Sequence, residues 1–194
     1  MNDVPYHHGH LRDALIEAAV KAIAEQGVDA LSLRSLARDV GVTHAAPYRH
    51  FETRNHLLAA VAEAGFKLLH AQMLPVLQGP DMREAFRAAG GVYVRFAVEQ
   101  PGYYQVMYGP TRLTAGYADG IDMLGPRDMP QYEELVEPLC EDGSDARAAT
   151  IAGWAIVHGI ATLVVDGRLR PDMFDLPDGD YEGLVRILTT SYVP

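Results

Sequence analysis

Cysteine, tryptophan and surplus positive charge are all scarce in this chain. Its 194 residues hold one cysteine, Cys140, one tryptophan, Trp154, and 16 Lys and Arg against 26 Asp and Glu, a net charge of −10. A lone thiol makes no internal disulfide, so stability must come from a packed core. The acid excess argues for weak nonspecific attraction to nucleic acid. Long apolar runs are missing too. The least polar stretch, 148–165, is interrupted by Thr150, Gly153, His158, Gly159 and Thr162, whereas a membrane span needs about 20 predominantly apolar residues. It reads as a buried helix of a soluble protein, and no membrane partner is expected. The start, Met1 to Pro5, has neither the basic residues nor the apolar stretch of a signal peptide, so a cytoplasmic location is expected. Alternating β-branched patterns of strand length, internal repeats and low-complexity tracts are absent, which leaves an all-α fold. A hydrophobic share of 48% excludes disorder as the main state and allows one medium domain or a small domain joined to a larger one.

The charge that is present is unevenly placed. Residues 1–60 carry six Lys and Arg against seven Asp and Glu, together with six of the eight histidines, while the remainder is left at −9. The first part suits an anionic partner far better than the rest does.

Apolar residues Leu11, Leu15, Ala18, Ala19, Ala22 and Ile23 recur at helical spacing, predicting an amphipathic helix that stops at Gly27. Ser32 is a good N-cap for a second helix carrying Leu33, Leu36, Ala37 and Val40, which ends at Gly41. Thr43 can then cap a third helix of about eight residues, ending near His50 or Phe51. Two short helices joined by a glycine-containing turn make a helix-turn-helix. Thr53 can cap a longer helix ending before Pro75, and further helical windows fall at about 81–100, 103–109, 131–141, 145–167 and 179–192, with a long loop over 110–130.

In a helix-turn-helix the leading end of the second helix faces base edges, while flanking groups fix register on phosphates. Here His44 and Ala45 occupy that leading end; the methyl of Ala45 or Ala46 can meet a thymine methyl, and the Tyr48 hydroxyl can reach a phosphate. Thr53 and Arg54 open the next helix, whose free N–H groups and positive dipole end favour an anion. The same pattern also describes trihelical units that never touch DNA, with Tyr48 and Phe51 as core aromatics.

Residues 32–58, SLRSLARDVGVTHAAPYRHFETRNHLL, resemble the DNA-binding domain of TetR-family transcriptional repressors. The match rests on Leu33, Leu36, Ala37, Gly41-Val42-Thr43, Tyr48, His50-Phe51, Arg54 and Leu57. Upstream, YHHGHLRDALIEAA resembles the first helix of one branch; downstream, PGYYQVMYG (101–109) and GWAIVHGIATLVVDGRL (153–169) resemble the C-terminal domain of that branch, named for its Trp, His and Gly. The resemblance implies operator contacts at Thr43, His44, Tyr48 and Arg54, with His50 nearby. It also implies a homodimer built on the last two helices, so that two recognition elements meet a palindromic site on double-stranded DNA. The chain departs from the family at His10, where Asp or Asn usually caps the first helix, at Arg54, where Lys is usual, and at Asn55, where an acidic residue is common. Pro47 removes an N–H early in the recognition helix and loosens it.

Trp154 and His158, four residues apart, share a helix face. With Phe66, Phe96, Tyr103, Tyr104 and Met107 they have the composition of a mostly apolar effector cavity, and equally that of ordinary core. Gly153, Val157, Ile160 and Val164, with Leu184, Val185, Ile187 and Leu188, provide apolar surface for a dimer or for packing within the chain. His7, His8 and His10 can be read as metal ligands, but closely spaced histidines at one end do not close a tetrahedral site; a polar arm beside DNA suits them better. Serines lie in no nucleophile elbow and Cys140 has an acidic neighbourhood, Glu137, Glu141 and Asp142, that raises a thiol pKa. Neither an enzyme nor a bound cofactor or metal is expected. The reading is therefore an all-α regulator in which residues 1–55 bind operator DNA and 56–194 dimerise and hold a small-molecule effector whose binding releases the repressor. The alternatives are a ligand-binding relative without useful DNA affinity, which the net charge favours, and a metal-dependent enzyme using the N-terminal histidines.

Overall fold

The computed structural model describes residues 11–109, 129–140 and 145–190. His7, His8 and His10 lie outside them, as does the expected loop over 110–130 except for Met129 and Pro130, which open a helix. Among the described residues there is no strand. The helices are α1 (Leu11–Gln26), α2 (Leu33–Val40), α3 (Arg54–Leu77), α4 (Met82–Glu99), α5 (Pro101–Tyr108), α6 (Met129–Val136), α7 (Ala146–Val165) and α8 (Tyr181–Thr190), with 3-10 turns at Val28–Ala30, Pro47–Arg49, Glu137–Leu139 and Pro171–Phe174. Contacts divide the chain into two compact units: residues 1–65 with 101–119, and residues 66–100 with 120–194. Thus α3 gives its first half to one unit and its second half to the other.

In the first unit α1 buries Leu11, Leu15, Ile16, Ala19 and Ile23, whose three- and four-residue spacing forms a single stripe. The core is completed by Leu33, Leu36 and Ala37 of α2, by Phe51, and by Leu57, Leu58, Val61 and Ala62 of α3. Ser32 caps α2 by accepting from the Ser35 N–H at 3.1 Å. The helix closes on Gly41 at φ 78°, ψ 30°, while Val42 N–H reaches the Ala37 carbonyl at 2.8 Å, the paired C-terminal bonds that need a residue tolerant of positive φ. Pro101 opens α5, where its missing N–H costs nothing. That helix then packs against α1 so closely that a Cβ on Gly102 would collide with the Val20 carbonyl oxygen.

The second unit is organised around α4, which packs on both α7 and α8, while α6 lies against α7. Asp81 and Asp145 cap α4 and α7, each accepting from two backbone N–H groups. Gly90 and Gly91 let the other helices approach: a Cβ at Gly91 would lie 2.7 Å from the Glu182 Cα.

Three expectations change. The stretch after Thr43 is not an eight-residue α-helix but a turn followed by the 3-10 segment Pro47–Arg49. The long helix does not stop before Pro75 but runs through it to Leu77; the lost hydrogen bond falls in the final turn, and Leu77 is buried. Nor is the 148–165 stretch a buried helix: α7 is apolar enough to cross a membrane by composition, yet only 11% of its most apolar window is buried. Ile160 and Ala161 form its buried side, and Val157 lies against Gly90. Ala152, Ile156, Gly159 and Leu163 form an exposed stripe that flanks the buried side.

The glycine contacts give an ordered prediction. Gly91→Ala forces backbone apart and is expected to destabilise by about 1–3 kcal/mol, more than the roughly 1 kcal/mol that Ala gains over Gly inside a helix. Gly90→Ala meets only valine methyls, at 3.0 and 3.1 Å, and should cost less. Urea unfolding of both variants checks the order, and an equal or reversed ranking rejects the contact as its cause.

Candidate nucleic-acid interface

Between α2 and α3 the chain presents a run of exposed residues: Thr43, His44, Ala45, Tyr48, Arg49, His50, Glu52 and Thr53. Its shape follows from one residue. Pro47 has no N–H to send to the Thr43 carbonyl, which instead accepts from Ala46 at 2.9 Å. The tighter bonding continues in Arg49 to Ala46 at 3.2 Å and His50 to Pro47 at 3.0 Å, before Phe51 restores α-type spacing to Pro47 at 2.9 Å. Pro47 itself is buried, as is Phe51, so the segment is anchored by two apolar side chains. The Arg12 guanidinium lies 5.6 Å from the Phe51 ring centroid, a cation–π contact that ties α1 to the same anchor.

Tyr48 is 54% exposed, above the buried Pro47. Thr53 caps α3 as expected, its hydroxyl accepting from His56 N–H at 3.2 Å. Arg54, by contrast, turns inward: Nε donates to the Leu31 carbonyl at 3.1 Å, Nη2 donates to the Val28 carbonyl, and Nη2 stands 4.0 Å from Asp29 Oδ1. Arg49, beside Tyr48 on the exposed turn, was missed by sequence reasoning; its signal is that it is the one Lys or Arg between Thr43 and His50.

The residues expected to line an effector cavity fall into two groups. Tyr103, Tyr104 and Met107 belong to the first unit. Tyr104 is buried and tilts against Tyr108 at 5.3 Å, while Tyr103 and Met107 lie against Gly65 of α3. Burial raises the Tyr103 phenol, with the Glu17 carboxylate adding to the shift, so it stays neutral.

Phe66, Phe96, Trp154 and His158 belong to the second unit. Phe66 and Phe96 are buried. Trp154 stacks on His158 with centroids 5.0 Å apart at 21°, as the four-residue spacing predicts. The structure adds Tyr93, nearly buried on α4, whose hydroxyl stands 2.9 Å from His158 Nδ1. Sequence reading missed it because Tyr93 sits in the apolar stripe of Ala89, Phe96 and Ala97, where only its hydroxyl distinguishes it from core. Partial burial lowers the pKa of His158.

An exposed turn between α2 and α3, backed by a trihelical core, together with a second all-α unit, is the architecture of a helix-turn-helix protein with an accessory all-α unit. Residues 15–61 match the pattern of bacterial regulatory proteins of the tetR family, and residues 86–188 match the tetracyclin repressor-like C-terminal domain. The chain is 36% identical to the class C tetracycline repressor of Escherichia coli over 160 residues, 80% of this chain and 65% of that one. A match to a Bacillus subtilis HTH-type regulator, at 28% identity, covers 50% of this chain and 51% of that protein. A Rhodococcus protein of unknown function has the same fold at a TM-score of 0.78 and 34% identity, covering 97% of this chain and 96% of that one. The complex of AibR with isovaleryl coenzyme A and operator DNA shares the fold at 0.61 and 17% identity, covering 91% and 96%. This chain belongs to the TetR family of transcriptional regulators. Regulators of this family bind operator DNA and small-molecule effectors and are generally not enzymes.

The lowered His158 pKa carries a sign. The unfolded chain takes up a proton near the ordinary histidine value of about 6.5, before the folded chain does, so stability present above that pH falls as acidification proceeds and levels off below the folded value. The difference in unfolding free energy between wild type and His158→Gln should therefore shrink from pH 7 downward through that window. A pH-independent difference removes the burial argument.

Proposed function

We propose that the chain is a homodimeric repressor that leaves a palindromic operator when a small, at least partly apolar effector binds. Residues 1–55 read DNA, and residues 56–194 dimerise and hold the effector. The observation that carries the DNA reading is the exposed turn 43–50 with Tyr48 at its tip. Thr43 and Tyr48 fix register on phosphates, His44 and Ala45 face base edges, and His50 and Arg49 stand beside them. The adjacent start of α3 supplies free N–H groups and the positive dipole end. Trp154 stacked on His158, with Gly159 next in the chain, supports the family branch named for those three residues, and the same pair, joined by Tyr93, supplies the placed polar groups that an apolar effector site needs. An effector that favours the conformation with the wrong separation of recognition turns shifts the population off DNA.

The exposed side of α7 supports dimerisation. Ala152, Ile156, Gly159 and Leu163 follow a four-three-four spacing, and Ile156 and Leu163 are 41% and 43% exposed. Such a stripe packs against another helix, and in a soluble cytoplasmic protein a second copy covers it without a bilayer.

Fluorescence anisotropy on DNA flanking its own gene, against scrambled competitor at several salt concentrations, tests the reading. Tight, competitor-resistant binding at two protomers per site is expected. Binding no tighter than to scrambled DNA, with a random-sequence selection yielding no motif, favours the ligand-binding alternative. Tyr48→Phe should weaken binding on all sequences, whereas His44→Ala should change the selected motif. Ile156→Arg should run as a monomer in light scattering where wild type is a dimer, and lose operator affinity with it. A dimeric Ile156→Arg protein refutes α7 as the interface.

A further inference from the structure

Arg54 is the one expected DNA contact whose charged group the fold already uses. Its side chain is 32% exposed, and two of its N–H groups face the carbonyls of Leu31 and Val28, with Asp29 beside them. The Val28 carbonyl belongs to the 3-10 turn Val28–Ala30 and also accepts from Leu31 N–H at 3.2 Å, and Leu31, which closes the turn, is extended at φ −68°, ψ 132° before α2 begins. Between Leu31 and Arg54 lie α2, its glycine turn and the recognition turn, so the guanidinium closes a loop around the whole helix-turn-helix. A planar fork can meet two carbonyls at once; a lysine ammonium, a point charge on a flexible stem, does not reproduce that geometry.

We infer that Arg54 is a positioning residue: it clasps the start of α3 to the segment leading into α2 and so fixes the recognition turn between them, instead of neutralising a phosphate. The recognition turn needs such support. Pro47 denies it regular α-helical bonding, so its orientation depends on its buried anchors, Pro47 and Phe51, and on the two flanks that Arg54 joins. The consequence for DNA rests on the proposed reading; the clasp itself does not.

The two roles separate on Arg54→Lys. A phosphate contact survives that change, since lysine is an equally good point charge, and Arg54→Gln then lowers the salt slope by about one unit. A clasp fails in both variants. The full-length wild type, Arg54→Lys and Arg54→Gln are titrated onto the duplex flanking the gene and onto its scrambled counterpart at several salt concentrations. Amide hydrogen exchange over residues 33–53 is followed in parallel. For Arg54→Lys we expect about a tenfold loss of operator affinity, unchanged scrambled-DNA affinity and salt slope, and faster exchange in α2 and the recognition turn. Overall destabilisation alone lowers the active fraction without altering the ratio of operator to scrambled affinity. Wild-type operator affinity in Arg54→Lys, with a reduced slope in Arg54→Gln, overturns the inference. Should wild type not discriminate the operator, the DNA reading fails separately, and exchange in Arg54→Lys no faster than wild type overturns the clasp on its own.

Discussion

Both units are closed by helices that come near enough for a glycine to touch its neighbour's backbone. Gly102 brings α5 onto the Val20 carbonyl of α1, and Gly91 brings α4 onto Glu182 of α8. Contact at this range leaves no room for a side chain and little for adjustment, because backbone cannot rotate aside as a methyl can. These crossings fix how near α5 comes to α1 and α4 to α8. Whatever sits on α1, including the Arg12 that lies over Phe51, inherits its place from them.

The recognition segment is held by its surroundings more than by itself. A regular α-helix would supply its own bonds from Thr43 onward; here Pro47 breaks that series, and the turn is fixed by burying Pro47 and Phe51 and by what grips its ends. Its orientation therefore depends on residues outside it.

Much of this was legible because it is local. Ser32 and Thr53 as caps, Gly41 as a stop and the three-four spacing of α1 each depend on residues within a turn or two, and the helices form where those signals lie. The motif 32–58 carried the family for the same reason. Less legible was anything decided across the fold. Pro75 reads as a terminator, yet the helix outlasts it by two residues because Leu77 is buried. Pro47 was seen to loosen a helix, but that it leaves only a 3-10 turn depends on how the neighbouring carbonyls are satisfied. The apolar residues of α7 cannot by themselves say which side is covered. Val157 and Ile160 meet their own chain, while the stripe beside them, Ala152, Ile156, Gly159 and Leu163, stays open. Arg54 looks like an anion contact in sequence because the carbonyls that take its fork lie more than twenty residues upstream.

The charge distribution connects the dimer to DNA binding. With −9 outside the first 60 residues and near neutrality within them, one recognition turn has little general attraction to a phosphate backbone to draw on. The Arg54 guanidinium keeps its charge but directs donors to the Leu31 and Val28 carbonyls. In the proposed dimer, two such weak contacts would become strong only where both half-sites are present at the right spacing, because the second then binds at the effective concentration set by the first. An acidic chain that binds through such a pair gives up general affinity and gains discrimination. In that proposed arrangement an effector would need only to change the spacing of the pair to remove both contacts at once.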